Sequence, residues 1–257
     1  MGIAAAGTGC GTMVLPPIGA ALIQQYGWRT TNVIFGIAAG VLLFGCAAVV
    51  ASPPIARSTG IPAHPLRGIF GSRAFLLLYV SWVLATTALF VPFVFLPAFA
   101  LDLGVSQVLA AALISVLGGM SVIGRLGLGL LSDRVGTLRL FKVATLAMGA
   151  SYLLWLAATD YGWLLGFAAV LGLGYGVRIA LMPVILIELF GLQSLGAVLG
   201  VFFTATGVSA LVGPPLAGFI VDYTGSYRWA AALALAMGLL GFAAILRLRA
   251  DRASTSL

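Results

Sequence analysis

The sequence predicts an all-α integral membrane protein. Hydrophobic residues make up 62% of the 257 residues and charged residues only 7%, whereas a soluble domain carries about 25% charged residues. A soluble fold of this size could not cover its surface with so few polar groups. The apolar residues also form unbroken runs of bilayer length instead of alternating with polar residues, and this pattern predicts helices and not strands.

Eight apolar runs are long enough to span a membrane, because a helix needs about 20 apolar residues to cross a hydrocarbon core of about 30 Å. They lie at about 3–24, 32–51, 74–100, 106–131, 138–158, 163–187, 194–221 and 229–247. Most of the connections are so short that successive helices must be antiparallel neighbours. The exception is the linker 52–73, rich in Pro, Gly and Arg, which separates a two-helix unit (1–51) from a six-helix unit with a short tail (74–257).

The basic residues predict the orientation, because Lys and Arg are in excess in cytoplasmic loops. Only Arg29 and Arg228 fall on one side of the alternating spans. Nine fall on the other: Arg57, Arg67, Arg73, Arg134, Arg139, Lys142, Arg247, Arg249 and Arg252. Both termini and the linker are therefore predicted to face the cytoplasm, with the protein in the plasma or inner membrane. Since these residues are spread between the runs, the net charge of +7 does not indicate a nucleic-acid partner.

Two arginines lie inside apolar runs, where a charge at a helix centre costs about 2.5–3.5 kcal/mol. Such residues usually face a cavity or the interior of a bundle, so Arg125 and Arg178 are candidate ligands for an anion. Tyr175 precedes Arg178 by three residues and shares its helix face, so it is expected to help bind the anion. The alternative for Arg125 is an anchor that reaches the interface, and the alternative for Arg178 is a cap on a carbonyl that Pro183 leaves free.

An internal repeat relates the first run to the seventh. The residues Thr8, Gly9, Val14, Pro16, Pro17 and Gly27 recur 198 positions later as Thr206, Gly207, Val212, Pro214, Pro215 and Gly225. Chance similarity between two Gly/Pro-bent helices is the alternative. Repeats of this kind occur in transporters built from two six-helix halves. In such a protein the first run would be the fifth helix, and four helices would precede it.

The segment 129–136, Gly-Leu-Leu-Ser-Asp-Arg-Val-Gly, resembles the loop signature between helices eight and nine of the major facilitator superfamily. The family signature continues with two basic residues after the glycine, whereas this chain has one basic residue there, Arg139. The chain as a whole resembles helices five to twelve of that fold: two helices of the first half and a complete second half. The resemblance implies a gating or conformational role for the loop, the nearby Glu188 and the repeated prolines, namely Gly129, Asp133, Arg134, Gly136, Glu188, Pro16, Pro17, Pro214 and Pro215. A solvated turn is the alternative for the loop.

Within the superfamily, Ile123-Gly124-Arg125-Leu126 is similar to the monocarboxylate transporter and oxalate:formate exchanger group. In that group an arginine on helix eight pairs with the substrate carboxylate, which implies this role for Arg125. The exchanger's lysine on helix eleven has no counterpart, because residues 194–221 carry no charge. Oxalate is therefore not the expected substrate, and Arg178 is expected to supply the second positive charge.

These observations together predict a secondary active transporter that moves a small organic anion, of the monocarboxylate type, by alternating access. Its expected partners are that anion, the lipid bilayer and the missing N-terminal helices. The alternatives are a facilitator-type transporter of a neutral or amphiphilic solute and a non-transporting truncated remnant. No cofactor, metal or enzymatic activity is expected, because the sequence contains no metal-type spacing and no nucleophile with a nearby base.

Overall fold

The computed structural model describes residues 2–49, 66–128 and 132–248. All regular elements in these ranges are helices. The described residues form nine α-helices in chain order: α1 Gly2–Val49, α2 Leu66–Phe70, α3 Arg73–Asp102, α4 Gln107–Ile123, α5 Ser132–Val135, α6 Thr137–Leu156, α7 Tyr161–Phe190, α8 Leu195–Thr224 and α9 Tyr227–Leu246. A π-helical turn, Gly124–Leu128, continues α4, and a 3-10 turn, Leu192–Ser194, precedes α8.

Helix α1 is sharply bent at Gly27, whose φ of 75° and ψ of 162° are not helical. This region of backbone conformation is essentially restricted to glycine. The arms on either side, residues 2–26 and 28–49, lie side by side: a Cβ placed on Gly19 would be 3.4 Å from the Phe35 ring. The first arm packs against α4, where Gly118 lies directly against Thr12 and Met13.

Six described segments are long and apolar enough to cross a membrane: Cys10–Val49, Arg73–Asp102, Gln107–Gly127, Tyr161–Phe190, Leu192–Thr224 and Tyr227–Leu246. The first of them contains both arms of α1 and therefore covers two of the eight runs. Helix α6 occupies another run but is not among the six, and Arg139 and Lys142 in its first two turns lower its hydropathy. The structure thus supports an all-helical membrane fold, whereas the number of eight crossings stays a prediction.

Close helix contacts depend on glycine, which is typical of bundles in lipid, where small residues let helix backbones approach each other. Gly172 and Gly176 of α7 face the carbonyl groups of Leu117 and Ser121 on α4, with no room for a Cβ at either position. In the same way Gly149 of α6 lies against α9. Around these contacts α3 packs on α8 and α9, and α6 packs on α7 and α9.

The buried side chains form two clusters, one toward each end of the bundle. One cluster is centred on aromatic residues of α6 and α7, including Tyr152, Trp155 and Phe167. The other joins α3, α6 and α8 through Phe75, Phe141 and Phe202. Arg178 contacts the second cluster through Phe141, so this charged side chain lies within the apolar interior.

Candidate anion site around two buried arginines

Arg125 lies in the π-helical turn that follows α4 and is only 3% exposed. Its guanidinium carbon is 5.4 Å from the centre of the Tyr175 ring on α7, within the range of a cation–π contact. Helix α1 also packs against this turn. Arg125 therefore lies where the first two-helix unit meets the six-helix unit.

The wide π turn is a local feature that the sequence analysis did not predict. Such turns appear mostly as single insertions in helices and are frequent at functional sites. Gly124 opens the turn directly against the Leu173 carbonyl, where a Cβ would not fit. The available signal was the pair Gly124 and Gly127 on either side of Arg125, since two glycines weaken a regular helix.

Arg178 of α7 is 2% exposed and connects three helices. Its Nη2 donates a hydrogen bond of 3.1 Å to the Ser81 carbonyl of α3. Its guanidinium carbon is 4.6 Å from the Trp82 ring centre and 5.5 Å from that of Phe141 on α6. The acceptor is therefore a carbonyl of α3 and not the carbonyl of α7 that Pro183 leaves free.

The Nε atom of Arg178 is buried and has no hydrogen-bond partner among the described residues. A buried N–H group without an acceptor costs about 1–3 kcal/mol, and more when the group is charged. The cation–π contacts offset part of the cost of burying the charge. They do not satisfy this donor, which remains suited to an anionic or polar group in the neighbouring cavity.

Tyr175 lies between the two arginines. It lines a small cavity of about 40 Å³ together with Arg178, Trp82 and Thr206. It also lines a larger cavity of about 250 Å³ between α3, α7 and α8, whose other walls are mainly apolar: Trp82, Ile179, Met182, Pro183, Leu199, Phe202, Phe203 and Thr206. The structure thus brings the three predicted ligands together, with Arg125 against the Tyr175 ring and Arg178 beside Tyr175 on α7. Both cavities are lined by Tyr175, Trp82, Ile179 and Thr206.

Trp82 and Thr206 are site residues that the sequence analysis missed. The Trp82 Nε1 donates a hydrogen bond of 2.9 Å to the Thr206 Oγ1, which links α3 to α8. The same indole ring faces Arg178 and lines both cavities. Thr206 was visible in the sequence as part of the repeat, but nothing there indicated that a tryptophan 124 residues away would be its partner.

The predicted gating loop is described only in part. Gly129 lies outside the described residues, and Asp133 lies in α5. Arg134 is exposed, and Gly136 has a φ of 93° immediately before α6. Glu188, near the end of α7, accepts a hydrogen bond of 2.8 Å from the Thr137 hydroxyl. This carboxylate therefore reaches the loop, through Thr137 at the start of α6.

The repeated prolines all lie inside helices, Pro16 and Pro17 in α1 and Pro214 and Pro215 in α8. Beside the second pair, Gly213 packs against α3: a Cβ placed on Gly213 would be 2.8 Å from the Thr87 carbonyl oxygen. A proline removes a backbone hydrogen bond and bends a helix. Each pair is therefore a position at which its helix lacks backbone hydrogen-bond donors.

Comparison with known proteins identifies the family. The sequence model of the Major Facilitator Superfamily matches residues 1–157 and, in a second match, residues 126–256. The chain belongs to the Major Facilitator Superfamily. The two overlapping matches cover nearly the whole chain, in keeping with the repeated architecture of facilitators.

Curated relatives within the superfamily include monocarboxylate transporters. The chain is 32% identical over 249 residues to monocarboxylate transporter 4 of Mus musculus, covering 91% of this chain and 52% of the relative. It is 34% identical over 244 residues to monocarboxylate transporter 3 of Rattus norvegicus, and this match covers 88% of this chain and 49% of the relative. Monocarboxylate transporter 12 of Rattus norvegicus is 32% identical over 291 residues, and this match covers 95% of this chain and 59% of the relative.

The chain spans about half the length of the first curated relatives it matches. The predicted resemblance to monocarboxylate transporters is thus confirmed at the level of the family. These relatives are transporters and not enzymes, so the non-enzymatic class predicted from the sequence is also confirmed.

Proposed function

We propose that this chain contributes helices five to twelve of a secondary active transporter that carries a small organic anion of the monocarboxylate type by alternating access. The observation that carries this proposal is the buried guanidinium of Arg125, held in a π-helical turn against Tyr175. Arginines buried in membrane-spanning segments are costly, and they commonly mark substrate or ion pathways. The names of the curated relatives support a carboxylate as the ligand.

Arg125 is the main ligand in this proposal, because the planar guanidinium can donate two parallel hydrogen bonds to one carboxylate. The Tyr175 ring holds the guanidinium in place and so reduces the rotamer freedom that binding would otherwise remove. Arg178 contributes the second positive charge and its buried Nε donor. The apolar cavity of about 250 Å³ beside Tyr175 accommodates the hydrocarbon part of the anion.

The membrane arrangement belongs to the same proposal. Both arms of α1 cross the bilayer, which gives eight crossings, and the termini and the linker 52–73 face the cytoplasm of the cell. The four preceding helices of the facilitator fold complete the first half, so the substrate path lies between the two halves. The protein lies in the plasma or inner membrane.

Alternating access would then use the loop at the cytoplasmic ends of α4 to α7. In one conformation the hydrogen bond between Thr137 and Glu188 joins α6 to α7. We propose that Asp133 and Arg134 change partners as the halves rock, with Gly136 allowing the backbone turn before α6. Gly129 is expected to share this gating role. The proline pairs of α1 and α8 lie in corresponding helices of the two halves, which suits symmetric bending.

A neutral or amphiphilic solute is the second candidate, and the apolar lining of the cavity beside Tyr175 favours it. Transport in proteoliposomes by the twelve-helix protein separates the two candidates. The substrates are a series of monocarboxylates of increasing apolar size, each paired with its primary amide as a control of matched shape. The anion proposal is supported if the acids are taken up and their amides are not. Equal uptake of acid and amide would replace it with the neutral-solute alternative.

A further inference from the structure

An open hollow of about 830 Å³ lies where the ends of α3, α6 and α9 meet. Among the described residues that line it, Arg73, Lys142 and Arg247 are basic and none is acidic. The remaining wall is apolar and includes Leu77, Leu246 and Leu248. None of these residues lines the cavities around Tyr175 and Arg178, so the hollow is separate from the candidate anion site.

Each basic residue is placed by the end of a helix. Arg73 is the first residue of α3, directly after the Ser72 cap, and Arg247 follows the last residue of α9. Lys142 lies in the second turn of α6. Three positive charges that are 69 to 174 residues apart in sequence thus meet at one end of the bundle, on the side that is predicted to face the cytoplasm.

Lys142 is a structural part of this hollow. Its Nζ donates hydrogen bonds of 3.0 Å to the Leu246 carbonyl and 2.6 Å to the Leu248 carbonyl. These bonds hold the end of α9 against α6, where the carbonyl groups of the last turn have no partner within their own helix. Arg247 lies between Leu246 and Leu248 in sequence, so the two hydrogen bonds from Lys142 fix the backbone on both sides of it.

The hollow combines a cationic rim with an apolar wall that runs toward the bilayer. Leu77 lies four residues after Arg73 on the same helix, about 6 Å further along its axis. Leu246 is 55% exposed and precedes Arg247 directly. A ligand that matches both surfaces must carry a negative group at the helix ends and a hydrocarbon chain that extends along the helices.

We propose that this hollow binds one anionic membrane lipid, with its phosphate held by Arg73 and Arg247 and an acyl chain against Leu77 and Leu246. Basic pockets between transmembrane helices bind anionic headgroups through this combination of charge and burial. Inorganic phosphate shares the charge but gains nothing from the apolar wall. The wall therefore favours the lipid over the free anion.

Native mass spectrometry of the purified 257-residue chain in detergent measures the binding directly. Phosphatidylglycerol, phosphatidylcholine and inorganic phosphate are titrated separately, and the last two are then added in competition with phosphatidylglycerol. The variant Arg73→Gln/Arg247→Gln removes two charges from the hollow and leaves Lys142 to hold α9. Its matched control is Arg139→Gln/Arg228→Gln, which removes two exposed charges that do not line the hollow.

The expected result is one tightly bound phosphatidylglycerol whose affinity falls roughly 30-fold in the hollow variant and stays unchanged in the control, since each basic residue near an anionic membrane surface contributes about 1 kcal/mol and two of them correspond to this factor. Arg73→Lys/Arg247→Lys restores most of the affinity, which assigns the loss to the removed charges. Leu246→Gln weakens the binding of the lipid, while phosphatidylcholine and phosphate do not compete with it. Equal weakening in the hollow and control variants overturns the proposal, and so does full competition by inorganic phosphate.

Discussion

Gly27 and Gly225 lie 198 residues apart, and both have a positive φ where a helix turns back on the outer side of the predicted topology, 75° at Gly27 and 67° at Gly225. They are equivalent positions of the internal repeat. Their ψ values differ, 162° at Gly27 and 15° at Gly225. The repeat has therefore kept the requirement for glycine, although the two backbones turn in different ways.

This difference predicts unequal effects of alanine. Gly225 is left-handed helical, a conformation that costs an L-residue about 1–2 kcal/mol, whereas the conformation of Gly27 is essentially limited to glycine and costs about 1–3 kcal/mol. We expect Gly27→Ala to lower the thermal unfolding midpoint in micelles more than Gly225→Ala does. Gly225→Asn should lie close to wild type, because asparagine tolerates the left-handed region. Equal midpoints for the two alanine variants would contradict the strain argument, since a Cβ meets open space at both glycines.

Gly176 provides a test of helix packing. A Cβ there would collide with the Ser121 carbonyl of α4, which cannot move without displacing the helix. Gly176→Ala should therefore destabilise the protein by about 1–3 kcal/mol. Gly200→Ala on α8 is the matched control, because Gly200 is exposed with no atom near its Cβ position. It should be neutral or slightly stabilising, since alanine favours the helix. Unfolding by heat or denaturant in micelles compares the two, and similar midpoints would argue against the close contact of α4 and α7.

Arg125→Lys distinguishes a carboxylate ligand from an interfacial anchor. Lysine keeps the charge but loses the two-pronged geometry, and a lost charge-assisted hydrogen bond is worth about 1.5–3 kcal/mol, or roughly 10- to 150-fold in affinity. We expect carboxylate uptake by the twelve-helix protein to fall accordingly while surface abundance is maintained. Arg125→Leu should abolish uptake but insert more easily, because it removes the insertion cost of the charge. The exposed Arg139→Lys is the control for a general change of arginine to lysine.

An anchoring arginine would give the opposite result, since lysine also reaches the interface. Near-normal uptake in Arg125→Lys, together with poor insertion of Arg125→Leu, would remove Arg125 from the substrate site. The assignment of the substrate class would then rest on the relatives alone.

The predicted topology is tested with an impermeant thiol reagent on intact cells. The exposed Cys10 and Cys46 are first replaced by alanine. Single cysteines are then introduced as Ser58→Cys in the linker and Thr159→Cys between α6 and α7. Because nine basic residues lie on the side of the linker, we expect labelling at position 159 and labelling at position 58 only after the cells are permeabilised. Labelling at position 58 but not at position 159 in intact cells would contradict the predicted topology and support the inverted one.

The helical class, the family and the helical stretches follow from local properties of the sequence. Hydropathy is summed over about 20 neighbouring residues, so a run such as 163–187 identifies the centre of α7 without knowledge of its neighbours. Burial of Arg178 also follows from the sequence, because a charge at that depth is too costly to expose to lipid.

Only the tertiary structure decided what the buried charges contact. The acceptor for Arg178 is Ser81, 97 residues away, and the hydrogen-bond partner of Trp82 is Thr206, 124 residues away. The π turn at Arg125 depends on the approach of Gly124 to the Leu173 carbonyl of another helix. The hollow of Arg73, Lys142 and Arg247 exists because three helix ends are held at one level of the bundle. Hydropathy is a sum over neighbours in sequence, whereas each of these contacts depends on the rotation and depth of one helix against another, which packing alone determines.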